Sequence, residues 1–189
     1  MTGALRPRAF VVIRHGQTDA NRDGLIAGRT EAMLTEAGRA AAARLALRRW
    51  PARIALFASP QARALDTADL AFPGRARRVL PDLRERDWGR LEGRPLAEIT
   101  PREATPPEGE PWADMVGRIA RALRLAQDAA GPALPVLVAH SGVIRAVRAL
   151  TAGDHTGPSA PNTTPLLFAP GPRGWSETTL TERNAPWTA

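Results

Sequence analysis

Three continuous apolar runs, Ala9-Phe-Val-Val-Ile13, Ile54-Ala-Leu-Phe-Ala58 and Pro135-Val-Leu-Val-Ala139, constrain the fold of this chain more than any other feature. A strand with one wet face alternates apolar and polar residues, whereas an unbroken run of this length suits a strand covered on both faces. Such strands lie in parallel sheets, whose neighbours are joined by long crossovers, usually helices. The intervening segments supply them. Thr35 is the expected N-cap of a helix with apolar spacing at Ala37, Ala41, Leu45 and Trp50, stopped by Pro51. Ser59-Pro60 is expected to cap and open a helix over Gln61–Ala71, ended by Phe72-Pro-Gly74. Trp112, Met115, Ile119 and Leu123 mark another helix, reaching Ala130 and closed by Gly131-Pro132, and His140-Ser-Gly142 begins one running to about Leu150. Arg77–Leu80, Pro165–Ala169 and Glu177–Thr181 are further expected strands. The alternation predicts an α/β fold, a three-layer sandwich around a mainly parallel central sheet with right-handed crossovers.

The remaining segments are irregular. Pro81–Gly93 is a charged loop, residues 94–111 carry five prolines and suit a short lid-like excursion, and Thr151–Thr164 is rich in glycine and proline. A length of 189 residues fits a single domain over 1–189. The absence of cysteine excludes disulfide frameworks, thiolate metal sites and cysteine nucleophiles. The apolar runs are too short to span a membrane, and Met1–Arg8 has no apolar leader segment, so a cytoplasmic location is expected, with no membrane partner.

In sheets of this kind ligands bind beyond the carboxyl ends of the strands. Arg14 and His15 follow the first run, Ser59 the second with Arg63 one helical turn later, and His140 and Ser141 the third. Two histidines and two arginines therefore converge on one edge, while His155 falls in a loop and has no expected role. That set suits a phosphoryl group. Guanidinium forks bind phosphate oxygens in pairs, the helix starting after His140 adds N–H donors, and a neutral imidazole can attack phosphorus.

At this point the sequence resembles a known family. Arg14-His15-Gly16-Gln17-Thr18-x-x-Asn21 is similar to the signature of the histidine phosphatase superfamily, the phosphoglycerate-mutase-like proteins. Leu34-Thr-Glu-Ala-Gly38, Ser59-Pro-x-x-Arg63-Ala-x-x-Thr67-Ala68, Leu83-x-Glu85-x-x-x-Gly89-x-x-Glu92-Gly93, Pro107-Glu-Gly-Glu110 and His140-Ser-Gly-Val-Ile-Arg145 follow in the family's order, so the resemblance spans Phe10 to Phe168. It implies a phosphoglycerate-mutase-like fold and a phosphohistidine mechanism needing no metal or cofactor. By that resemblance His15 is the nucleophile, and Arg14, Arg63 and His140 clamp the phosphoryl oxygens, assisted by Asn21, Gly28 and the backbone near Ser141. Glu85 is the general acid and then the base that activates water. Asp82, Asp87 and Glu92 stand close by as rivals, and Glu92 suits support of the loop.

Other readings compete. The two histidines could hold a metal with Asp82 or Glu85, but no ligand pair has short helical spacing and two arginines beside the site repel a cation. Trp88 and Trp112 could line the pocket or pack in the core. A mutase must keep water from its phosphohistidine, and the family's glycolytic mutases use a long insertion after the acid loop. Here only the short stretch after Gly89 precedes the helix at Trp112, which favours hydrolysis of a small phosphate ester. Sugar phosphates and ribazole phosphate both fall within the family's range. A non-catalytic ligand binder would not need nucleophile and acid together. All 26 basic residues are arginine, with no lysine, giving a formal net charge of +7. Arg39, Arg44, Arg48, Arg49, Arg118, Arg121 and Arg124 fall on expected helices as solvated faces, so the charge reads as a field for an anionic metabolite and no nucleic-acid partner is expected.

Overall fold

The computed structural model describes residues 5–187, so part of the Met1–Arg8 segment lies outside the described residues. In chain order the elements are β1 (Phe10–Arg14), α1 (Asp19–Arg22), α2 (Glu36–Arg44), β2 (Ile54–Ala58), α3 (Ala62–Ala71), β3 (Arg77–Val79), α4 (Trp112–Ala129), β4 (Leu134–Ala139), α5 (Ser141–Ala152), β5 (Pro165–Gly171) and β6 (Gly174–Thr179). The six strands form one sheet in the order β3-β2-β4-β1-β5-β6. The first four run parallel, and β5 returns antiparallel between β1 and β6.

Both faces of the central strands β1 and β4 are dry, as unbroken apolar runs require, whereas the edge strands β3 and β6 are largely exposed. Phe10, Val12, Leu137 and Ala139 pack with Met115, Ile119, Leu123 and Val143 of α4 and α5. Val11, Ile13, Val136 and Val138 pack on the other side with Ala64 and Ala68 of α3 and Leu45 beyond α2. Sheet and helices thus make three layers. Because both faces are apolar, alternation does not set the register of β1 against β4, and the polar residues at the strand ends do. Arg14 lies opposite Ala139. A slip along β1 would draw Arg14 or His15 between apolar layers, at several kcal/mol for an unpaired charge or polar ring.

The elements differ from expectation in ways that have physical reasons. α2 ends at Arg44 and tightens into a 3-10 turn over Leu45–Leu47, before Pro51 is reached. Its inward positions are Gly38 and Ala42, and Ala37 is exposed. An alanine-rich segment has too little apolar contrast for its spacing to decide which side turns inward. Thr35 caps it as expected, accepting from Gly38 N. α3 starts one residue late with Gln61 at its N-cap, and the Ser59 hydroxyl meets His140 Nε2 at 2.7 Å while accepting from Gln61 N at 3.5 Å. α1 was not anticipated and is held by a reciprocal box between Thr18 and Asn21.

Arg118 corrects the reading of α4 as carrying only solvated arginines. It is buried within the stripe of Met115, Ile119 and Ala122, and its charge is met by both oxygens of Glu110 at 2.6 Å. Its remaining donors reach the carbonyls of Asp82, Arg84 and Glu85. The charged loop therefore folds down onto α4, burying Leu83, Arg86 and Trp88. Residues 94–111 contain only a short turn at Leu96–Glu98. Among the described residues no helix is long and apolar enough to cross a membrane.

Candidate active site

The chain leaves β1 toward β2, past β4, and leaves β4 toward β5, past β1, so the connections from these two neighbouring strands run in opposite directions over opposite faces of the sheet. A crevice opens where connections part in this way. A cavity of about 470 Å³ lies there, and Arg14, His15, Asn21, Glu85 and Ser141 help to line it.

His15 continues β1 by donating its backbone N–H to Ala139 O. Its Nδ1 lies 2.7 Å from Gly16 O. A carbonyl can only accept, so Nδ1 carries the proton and Nε2 keeps its lone pair. Burial, then the Arg63 and Arg14 charges, depress the pKa to about 3 against one opposing bond to Gly16. The ring is neutral at physiological pH. His140 lies with its ring centre 5.2 Å from that of His15, fully buried at the end of β4. Its Nε2 meets Ser59 Oγ at 2.7 Å, and burial with the nearby arginines keeps it neutral as well. It occupies the N-cap position of α5 without capping it.

Several polar atoms here lack protein partners. His140 Nδ1, Arg14 Nε and Arg145 Nε are buried without a hydrogen bond. A buried polar atom left unbonded costs about 1–3 kcal/mol, and Arg14 and Arg145, which line the cavity, together with His140 next to His15 mark a place where ligand oxygens would repay that cost. Arg14 spends only one terminal nitrogen on protein oxygens, Ala160 O at 2.9 Å and Ser159 Oγ at 3.4 Å.

Glu85 is the member of the acidic group that reaches the cavity. Asp82 pairs with Arg121 and Asp87 with Arg29, both toward solvent. Glu92 accepts from the amides of Gly28, Arg29, Thr30 and Trp88, the loop support expected of it. The Glu85 oxygens accept from Arg86 N at 2.7 Å and from Gly142 N at 2.8 Å in the first turn of α5. Gly142 is needed for that approach, since a Cβ there would lie 2.1 Å from Glu85 Oε1.

Three expected residues do not line the cavity, namely His140, Arg63 and Gly28. Arg63 is buried and donates to the carbonyls of Thr30, Ala27 and Gly28, so its fork fastens the 27–30 turn while its charge acts on both histidines. Gly28 does not line the cavity. Its amide is taken by Glu92 and its carbonyl by Gln61 and Arg63, and a Cβ would strike Arg86 O at 2.1 Å. Asn21 and Ser141 do line it, Asn21 accepting from Thr18 N and Ser141 Oγ meeting Ser159 Oγ. Trp88 lines the cavity, whereas Trp112 packs against the α4 and α5 core and faces His155.

Sequence reasoning missed Gln61, Asn162 and Arg102. Gln61 bridges Glu85 N and Gly28 O with the two ends of its amide, and Asn162 donates to His15 O and Asn21 Oδ1. Gln61 lies between Ser59 and Arg63 just after β2 but reads in sequence only as the start of a helix, and Asn162 lies in a loop ahead of β5. Arg102 enters the cavity from the proline-rich excursion, where its spacing gave no signal.

Comparison with known proteins bears on the fold and the family. A phosphoglycerate mutase from Thermus thermophilus superposes with a TM-score of 0.73 at 31% identity, over 92% of this chain and 99% of that one. A candidate alpha-ribazole-5'-P phosphatase from Escherichia coli shares the fold, with a TM-score of 0.80 at 23% identity over 93% of this chain and 97% of that one. The bifunctional protein Rv2228c of Mycobacterium tuberculosis is 35% identical over 133 residues, which cover 61% of this chain and 36% of that protein. This chain thus spans little more than a third of the curated relatives it matches. The sequence model of the histidine phosphatase superfamily (branch 1) matches residues 10–163, most of the chain and every strand-end residue described above, and the protein belongs to that superfamily.

Proposed function

We propose that the protein is a phosphomonoesterase that hydrolyses a small phosphorylated metabolite through a phosphohistidine. The observation that carries this reading is the Nδ1 contact with Gly16 O, which leaves His15 Nε2 unprotonated beside the cavity that Glu85 also lines. Nε2 attacks phosphorus in line with the ester oxygen, the P–O bond breaks, and Glu85 gives its proton to the departing alkoxide. Water then attacks the phosphohistidine, yielding its proton to Glu85, and the P–N bond breaks to release phosphate and restore both residues. Arg14 and His140 hold the equatorial oxygens, with Arg63 acting through its charge. The guanidiniums of Arg14 and Arg63 stabilise charge that grows at the transition state, and the two cations repel a metal ion.

Phosphoryl transfer of the mutase type is the second reading, favoured by the name of the Thermus thermophilus relative. The shortness of the 94–111 excursion supports hydrolysis, because a mutase must shut water out. A panel of phosphate monoesters, with 3-phosphoglycerate isomerisation assayed beside it, separates the two. His15→Ala removes turnover and acid-labile labelling together, and turnover that survives it sinks the mechanism. Glu85→Gln costs about 10²-fold or more on alkyl phosphates but far less on p-nitrophenyl phosphate, whose leaving group scarcely needs a proton. Equal losses on both would name a different acid, and inactivation by EDTA would contradict a metal-free reaction.

A further inference from the structure

The steps above use the side of the cavity between β1 and β4 and leave two guanidiniums, those of Arg102 and Arg145, unused. Arg102, from the 94–111 excursion, lines the cavity with its carbon atom Cζ 5.7 Å from the ring centre of Trp88. No hydrogen bond or ion pair among the described residues engages its charged end. Burial draws its pKa down to about 10, so the fold bears a cost in keeping it charged there. The charges acting on it are those of Glu85, Arg145, Arg86 and Glu103, whereas those acting on His15 are Arg63 and Arg14. Its guanidinium lies against Trp88, three residues beyond Glu85 on the same cavity-lining loop, and this contact sets Arg102 on the Glu85 side, where the leaving group departs. Arg145 lines the same region, with Nη1 on the carbonyls of His155 and Gly157 and Nε unpartnered. Two guanidiniums brought close repel each other, and neither has a carboxylate in an ion pair among the described residues.

We propose that Arg102, with Arg145 beside it, forms a second anion subsite that selects phosphomonoesters whose leaving group carries a further carboxylate or phosphate. The proposal rests on the phosphoryl-transfer reading for which end of the substrate lies where. A guanidinium fork matches either anion, and a substrate lacking one would leave a partly desolvated cation unmet. The excursion that carries Arg102 is fastened at the next two residues. Glu103 Oε1 meets His155 Nε2 at 2.7 Å, and Arg86 Nη2 donates to Ala104 O at 2.9 Å. The His155 ring in turn lies 5.1 Å from that of Trp112 at the start of α4. Glu103 and His155, to which the sequence assigned no role, are thus positioning residues for Arg102.

Titration calorimetry with phosphonates tests this without turnover. The probes are 3-phosphonopropionate and 5-phosphonopentanoate, 1,3-propanediphosphonate as the second-phosphate arm, and propylphosphonate and pentylphosphonate as the uncharged-tail references. The native protein is expected to bind at least one doubly anionic probe about tenfold or more tightly than its reference. The ratio collapses toward one in Arg102→Ala, is partly kept in Arg102→Lys, and falls in Glu103→Gln. Equal affinities in the native protein, or a preference that survives Arg102→Ala, overturn the proposal. A preserved preference with no hydrolysis of any monoester would overturn the hydrolase reading and leave the subsite standing. Hydrolysis at equal kcat/KM for 3-phosphoglycerate and glycerol 3-phosphate, with equal phosphonate affinities, would do the reverse.

Discussion

Arg118 on α4 and Arg14 at the end of β1 are both drawn into the protein, and the chain treats them in opposite ways. Arg118 meets both oxygens of Glu110 and three backbone carbonyls, so its charge is neutralised and its donors are spent. Arg14 meets one carbonyl and one hydroxyl, keeps Nε unpaired, and has its pKa lowered first by burial. The first guanidinium ties the acid loop to α4 and is chemically silent. The second faces the cavity without an ion pair, as Arg102 and Arg145 do. A buried cation is structure when the chain supplies its counter-charge and a site when the counter-charge is left to a ligand.

Breaking the silent member should cost the fold most. Arg118→Met leaves Glu110 unpaired and frees the carbonyls of the acid loop, an expected loss of about 3–5 kcal/mol in urea unfolding. A loss below about 1 kcal/mol would mean that the ion pair holds nothing. Arg14→Ala should reverse the pattern. Expected is a loss of about 3 kcal/mol of transition-state stabilisation in kcat/KM, with a melting midpoint that stays or rises because an uncompensated cation is gone. A melting midpoint that drops as for Arg118→Met would erase the distinction.

The cavity cations also bear on acid stability. The His15 pKa of about 3 lies below its ordinary 6.5, so the unfolded chain takes up that proton first as pH falls. Unfolded His15 binds more protons than folded His15 between those values, and stability therefore declines as pH drops from about 6.5 toward 3. His140, shifted in the same direction, adds to the effect. Arg14→Ala should raise the His15 pKa in an NMR titration, and an unmoved value would show that burial and Arg63 hold it down without Arg14. The smallest effect belongs to the exposed pair of Arg121 with Asp82, where Arg121→Ala should change stability by less than about 1 kcal/mol.

How much was legible follows from what each residue's neighbours are. The strand-end residues His15 and His140 were readable because an apolar run ends where the sheet ends, and the next residue must emerge at its edge. Glu85 was separable from Asp82, Asp87 and Glu92 by motif offsets, and the structure gives each rival its own partner. Arg118 carried a usable signal, three residues after Met115 and one before Ile119 in the apolar stripe of α4. Read as a charge it belonged outside; read by position it belonged inside with a counter-ion. For Gly28 and Arg63 motif membership carried no sign of the contacts by which they brace the 27–30 turn. Asn162 and Arg102 lie in irregular segments, where composition forecasts a loop but not its path.

By itself the sequence determined the layers, the parallel core of the sheet and the edge at which chemistry gathers, because burial and strand period are local properties of short runs. Only the tertiary structure decided which charges are met by the chain and which are left open. An ion pair such as Arg118 with Glu110, or the isolation of Arg102 beside Glu85, depends on where distant segments come to rest. The electrostatic energy that separates scaffold from site depends on that distance and on the water excluded around it.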